Sequence, residues 1–524
     1  MSGDLKTQVR DYTEFFMGTV ESIDLEEIKE RPLRIDEGPV PPLASPSRHR
    51  GWLVGVAGAA VVLVLGLLTF LTRQTTPEAP AVSQPSPSPT VTTPGPVPST
   101  PIRVDRWTGA GLLGCEIPSG WVQVCGPASF DEAAMYAVTA GGPGLVAVGA
   151  NGLDYSTRED DATPWDNGAN DAVVWTSPDG LTWTRVPHNV VTFGGDGGQQ
   201  MFAVTAGGPG LVAVGRDGAV ADREGHAAVW TSPDGFTWSR VPHDEAIFGG
   251  EGEQRMVSVT VGGPGLVAVG FDRPAEVGEG DAAVWTSPDG FTWTRVPHNE
   301  AVFGGESRQM MLSVTTGGPG LVAVGTDGDY GGRPLGEPEG DESAVDAAVW
   351  TSPDGFTWSR VTHDESIFGG PGAQRMASVT AGGPGLVAVG SVTGDLTDLH
   401  PLQRHHFDAA VWTSPDGFTW SRVPHDDAVF SSSNESIPSD AEEVMLSVTA
   451  GGPGLVAVGL DGVDDCGWDS AVWTSPDGFT WSRVPDARIC NGPYDRMLSV
   501  TVGPFGLVAV GEEHYPGAAA VWNG

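Results

Sequence analysis

One fifteen-residue phrase, M-x-x-V-[TA]-x-G-G-P-G-L-V-A-V-G, recurs seven times along the 524-residue chain, starting at Met135, Met201, Met256, Met311, Met376, Met445 and Met497. The last copy reads MLSVTVGPFGLVAVG. Between copies runs A-V-W-T-S-P-D-G-F-T-W-S-R-V-P, with its first tryptophan at Trp175, Trp230, Trp285, Trp350, Trp412 and Trp473. Each period of roughly 50 to 70 residues therefore holds four short β-type runs. Strand A (MxSVT) and strand B (LVAVG) flank the GGPG turn, and strand C (AAVW) and strand D (FTWSRV) flank SPDG. Such a unit cannot bury both of its faces alone, so copies must stack, as the blades of a β-propeller do. Glycine and proline at the turns supply backbone angles that other residues resist.

The two ends of the array set the blade count. Seven A–B units accompany six complete C–D units, and the chain closes on AAAVWNG, a C strand with no D strand after it. Ser119–Val124 (SGWVQV) precedes the first A strand and reads as the missing D strand. Pairing the two predicts an all-β, seven-bladed propeller of four-stranded blades over residues 106–524, closed so that no sheet edge stays open.

The remainder divides into three. Residues 1–50 are mixed in charge and poor in core formers, which predicts a largely disordered tail. Trp52–Thr72 carries no charge and is long enough to span a bilayer, within an expected transmembrane signal anchor at 51–73. Arg48 and Arg50 flank it on the N-terminal side, so the positive-inside rule places the tail in the cytoplasm and everything beyond Arg73 outside. Residues 74–105 are rich in Pro, Ser and Thr and read as an extended stalk. Cys115, Cys125, Cys466 and Cys490 all fall on the exported side, where disulfides persist. Of the three possible pairings, Cys466–Cys490 is expected because both fall on one face, leaving Cys115–Cys125 to tie down the closing strand. The net charge of −40 repels phosphate backbones and argues against a nucleic-acid partner.

S-P-D-G-F-T-W resembles the Asp box of sialidases and related propellers, shortened by one residue between Asp and Gly. The resemblance covers six hairpins and implies a local role for Asp179, Asp234, Asp289, Asp354, Asp416 and Asp477, whose carboxylates would accept turn amides. The resemblance extends to no catalytic set. Sialidases grip a substrate carboxylate with three arginines and use a Tyr/Glu pair, and neither motif is identifiable here. The SRVP and TRVP arginines recur in every C–D unit, so they define the repeat rather than break it.

Candidate ligand residues lie where the B→C and D→A connections vary in length, as in 150–171, 326–345, 391–408 and 431–443. Arg255, Arg375 and Arg496 each precede the methionine of strand A and are expected to ring the mouth of the central channel. Counting outward from the turn sets Arg255 opposite Asp272 and Arg496 opposite Glu513, as salt bridges would be, and leaves Arg375 facing Val392. His188, His243, His298, His363 and His425 follow D strands on five blades, too far apart to share one metal. They are expected to anchor loops, and no metal or cofactor is assigned. Calcium at the acidic loops beginning Asp327 and Asp461 is the one weak cofactor signal. The leading expectation is a membrane-anchored extracellular protein that binds a protein or glycan without catalysis. The alternative is a surface glycoside hydrolase, which needs two carboxylates roughly 5 to 10 Å apart near the channel.

Overall fold

A computed structural model describes residues 121–123, 133–151, 170–195, 197–218, 225–273, 280–305, 307–328, 345–370, 372–393, 407–431, 443–452, 454–463, 467–485, 495–513 and 518–524. The expected tail, membrane span, stalk and all four cysteines lie outside these residues. Among the described residues, no helix is long and apolar enough to cross a membrane.

The chain forms seven four-stranded antiparallel sheets. Blade 1 comprises Ala133–Gly141, Gly144–Asn151, Ala172–Ser177 and Thr184–Arg185, and blades 2 to 6 repeat that order. In blade 7, Val122–Gln123 completes the sheet Asp495–Val502, Leu507–Glu513, Ala518–Asn523. Val122 pairs with Asn523 and Gln123 with Trp522, so the two ends of the propeller close one sheet. Each A strand packs against the next, and that of blade 7 against that of blade 1.

The core lies between blades. A typical cluster joins Val267, Val269 and Val284 of blade 3 to Met311, Leu321 and Trp350 of blade 4. Seven C-strand tryptophans, Trp175 through Trp522, are essentially inaccessible to solvent. A buried indole N–H needs a partner, and five find one across the blade boundary: Trp285, for example, donates to the Ile247 carbonyl at 2.7 Å.

The two invariant turns are invariant because they touch. Gly142 of the first GGPG turn has φ +55°, and a side chain there would meet the Asp234 carbonyl of the next blade at 3.0 Å. In return, the space beside Gly235 is taken by the Pro143 ring, also at 3.0 Å. Inside the SPDG hairpin of blade 3, Asp289 accepts the amides of Phe291 (2.8 Å) and Thr292 (2.7 Å) and the Thr292 hydroxyl (3.1 Å). The same bonds recur at Asp179 and Asp477. The Thr292 and Phe291 amides hold the Asp289 carboxyl below its usual range.

The count outward from the GGPG turn needs one correction. Every A strand carries a β-bulge after its methionine, as between Met256 and Ser258. The extra residue slides the outer half of the strand by one position. Arg255 therefore lies opposite Phe271, Arg496 opposite Glu512 and Arg375 opposite Ser391. The pairings expected for Arg255 with Asp272 and Arg496 with Glu513 do not form. The glycine closing LVAVG permits the bulge: a Cβ on Gly270 would sit 1.9 Å from the Arg255 carbonyl oxygen.

Candidate functional site

The bulge decides what faces the axis. Tyr136, Phe202, Val257, Leu312, Ala377, Leu446 and Leu498, one from each blade, line a cavity of about 330 Å³ together with Arg255 and Arg375. Those two arginines precede their methionines, at the end of strand A where the variable connections enter. The wall is lopsided. Tyr136 and Phe202 stack at 5.8 Å, and the Arg255 guanidinium lies over the Phe202 ring at 5.0 Å and the Phe271 ring at 5.3 Å. Blades 4 to 7 contribute only aliphatic side chains at the same level.

The backbone beside the cavity shares this asymmetry. Five valine amides are held by a serine hydroxyl of the preceding blade, as Val314 is by Ser258 at 3.2 Å and Val138 by Ser499 at 3.3 Å. Ala137 and Ala203 replace that serine in blades 1 and 2, and no such bond reaches Val204 or Val259 among the described residues.

The three expected arginines have three different fates. Arg255 is paired with Glu253, two residues before it on the same strand. Arg216 (3.4 Å) and Arg273 (3.8 Å) approach that same carboxylate. Burial pushes Glu253 up, but Arg255, Arg216 and Arg273 outweigh it and hold the carboxyl below its ordinary value. Three arginines do converge, but on the chain's own glutamate. Arg496 is paired with Glu512 on the neighbouring strand and does not line the cavity. Arg375 has no ion-pair partner among the described residues and is half-buried at the cavity wall.

The acidic candidates are engaged in a recurring radial contact. Gln254 donates to Asp272 Oδ1 at 2.8 Å, while Arg295 of strand D holds Asp272 Oδ2. Blades 2 and 4 repeat it with Gln199–Asp217–Arg240 and Gln309–Asp327–Arg360. In blade 6 Glu443 takes the glutamine position, and Arg483 holds both Glu443 and Asp461. The loop carboxylates expected to start a calcium site are thus turned to arginines: Asp327 to Arg360, and the fully buried Asp461 to Arg483. Five strand D arginines also lie over their C-strand tryptophans, Arg295 5.6 Å from the Trp285 ring centre. The repeated glutamine two residues before the methionine was the sequence signal for this contact.

Blade 7 differs because its D strand comes from the other end of the chain. Gln123 sits opposite Trp522, the register that sets Arg295 opposite Trp285 in blade 3. Asp495 and Glu513 face each other across strands A and B. Burial, with Glu513 and Asp469 nearby, pushes the Asp495 carboxyl up to about 8, and burial also raises Glu513. Neither side chain lines the axial cavity.

The five histidines pack on phenylalanines five residues later, His298 on Phe303 at 6.5 Å for example. Each also meets at least one carboxylate, as His298 meets Glu300 at 3.1 Å and Asp281 at 3.7 Å.

No protein-family model matches the sequence, and no curated protein does. Among solved structures the chain is similar to a protein of unknown function from Dyadobacter fermentans, at 14% identity and a TM-score of 0.40, covering 78% of this chain and 99% of that one. It is similar also to Trypanosoma rangeli sialidase in complex with sialic acid, at 14% identity and TM-score 0.37, covering 75% of this chain and 54% of the sialidase. An ancestral GH74 enzyme gives 12% identity and TM-score 0.38, with 75% and 44% covered. The chain thus spans about half the length of these two enzymes.

Proposed function

We propose that this propeller is a non-catalytic binding protein that takes its ligand on the variable face, at the mouth of the axial channel. The observation that carries this reading is the lopsided wall: an aromatic pair at Tyr136 and Phe202 in the same cavity as the Arg375 guanidinium, which has no ion-pair partner among the described residues. Such a surface suits a protein or glycan ligand that presents an apolar face and an acidic group, since few but well-placed polar groups fix orientation in an apolar pocket. The SPDG hairpins, read as shortened Asp boxes, serve the scaffold. In this reading residues 52–72 anchor the protein in the cell membrane, with the N-terminus cytoplasmic, and the 74–105 stalk holds the propeller outside.

A glycan array and a pull-down with cell-surface proteins, both using the full chain, identify the ligand. Arg375→Ala and Phe202→Ala are each expected to weaken capture about tenfold or more while the domain still melts cooperatively. The hydrolase reading draws on the raised carboxyl of Asp495 beside Glu513. Glycosidase turnover by the purified protein, abolished by Asp495→Asn, would overturn the non-catalytic reading.

A further inference from the structure

On the variable face, in five blades a residue at the start of strand C meets the histidine that follows strand D. Four of these blades place aspartate there: Asp171, Asp281, Asp346 and Asp408. Blade 2 alone places His226. The exchange turns a histidine–carboxylate contact into a pair of imidazoles, His226 and His243, with ring centres 4.9 Å apart. Glu245 completes the group, its Oε2 lying 3.0 Å from His243 Nε2.

We propose that His226, His243 and Glu245 form a binding site for a transition-metal dication of the zinc type. One donor atom from each lies within 4.8 Å of the others. Bonds of about 2 Å would draw them to roughly 3.3 Å apart around a tetrahedral ion. The exposed side chains of His243 and Glu245 have the freedom to close that gap. Two imidazoles and one carboxylate are a donor set that zinc uses when it keeps a fourth position open. The supports are in place as well. Glu245 Oε1 accepts the Gly250 amide at 3.2 Å, which leaves Oε2 turned to the histidines, and the His243 ring packs on Phe248 at 6.4 Å. His226 Nδ1 is shut off from solvent and has no hydrogen-bond partner among the described residues. A dication would take a lone pair from each imidazole and meet the Glu245 carboxylate beside them.

Blades 3 and 4 serve as internal controls. Asp281–His298–Glu300 and Asp346–His363–Glu365 hold the same geometry with one nitrogen and two carboxylates. Nitrogen donors favour zinc, copper and nickel over the calcium and magnesium that prefer all-oxygen sites, so the second imidazole sets blade 2 apart. The histidines need not share a metal between blades, because each blade brings its own acids to its own histidine.

The test is calorimetric titration of the full, tag-free chain with Zn²⁺, paired with Co²⁺ absorption spectra that report nitrogen ligation. One site per chain is expected. His226→Asp, which restores the residue of the other blades and so preserves the fold, should weaken Zn²⁺ binding roughly tenfold or more. Asp281→His should raise the stoichiometry from one to two. Absence of Zn²⁺ binding by the native chain overturns the proposal, as does undiminished binding by the His226→Asp protein.

Discussion

At the scale of single residues, two groups of carboxylates behave in opposite ways. The SPDG aspartates sit in turns where amides point at them, so ionisation stabilises the folded state. Replacing Asp289 with alanine strands the Phe291 and Thr292 amides, and a loss of about 1–2 kcal/mol in urea denaturation is expected, with ligand capture intact. Asp495 is the reverse case. Its folded carboxyl titrates near 8 against an ordinary value of 3.8, so between those limits the folded protein keeps a proton that the unfolded chain releases. The stability from this group is complete below pH 4, falls as pH rises towards 8, and is gone above it. Asp495→Asn keeps the site neutral at every pH. Denaturation curves from pH 4 to 9 should show the variant overtaking the native protein above neutrality, by about 1–3 kcal/mol at pH 9. Equal stability of the two proteins at pH 9 would contradict the buried, proton-holding assignment.

At the scale of the strand, the bulge converts a repeated sequence into a differentiated surface. It aims one side chain per blade at the axis, and those side chains differ around the ring. Gly270 makes the bulge sterically possible, because a methyl group there collides with the Arg255 carbonyl. Gly270→Ala is therefore expected to cost roughly 3 kcal/mol or more and to lower the melting temperature sharply. The serine-to-amide bonds between A strands permit the opposite experiment. Ala137→Ser supplies the hydroxyl that Val204 lacks, by analogy with Ser258 and Val314, and should stabilise by about 0.5–1.5 kcal/mol. A melting temperature unchanged or lowered by Ala137→Ser would mean that the blade 1–2 junction is spaced differently from the other junctions.

For the whole molecule, stability depends on closing the ring. The D strand of blade 7 comes from residues far from the rest of its sheet, so Val122–Gln123 links the beginning and the end of the propeller. Trp121 packs against the last blade, with its indole directly over Gly524. Trp121→Ala should cost about 2–4 kcal/mol by removing that packing. The exposed edge of the last C strand should then promote association, visible as concentration-dependent light scattering. The axial cavity depends on the same closure, since all seven blades contribute to its wall.

Blade number, strand order, the turn chemistry and the closing strand could all be read from the sequence. Each is written in short-range patterns, a few residues of alternation bounded by GGPG or SPDG, and the surplus strand at one end announces its missing partner at the other. The candidate site was legible only in outline. Arg255, Arg375 and Arg496 were expected before strand A and around the channel mouth; all three lie inside strand A, only Arg255 and Arg375 line the cavity, and what each one faces turns on a one-residue bulge that simple counting misses. The signal was present in the glycine ending LVAVG, since glycine within a strand marks close backbone approach. Tertiary structure decided the rest: that Glu253 neutralises Arg255 while Arg375 has no ion-pair partner among the described residues, that Tyr136 and Phe202 of neighbouring blades stack, and that His226 meets His243. The two ring contacts join residues on different strands or blades. Such distances are set by packing and register, and a repeat that specifies each blade locally carries no record of them.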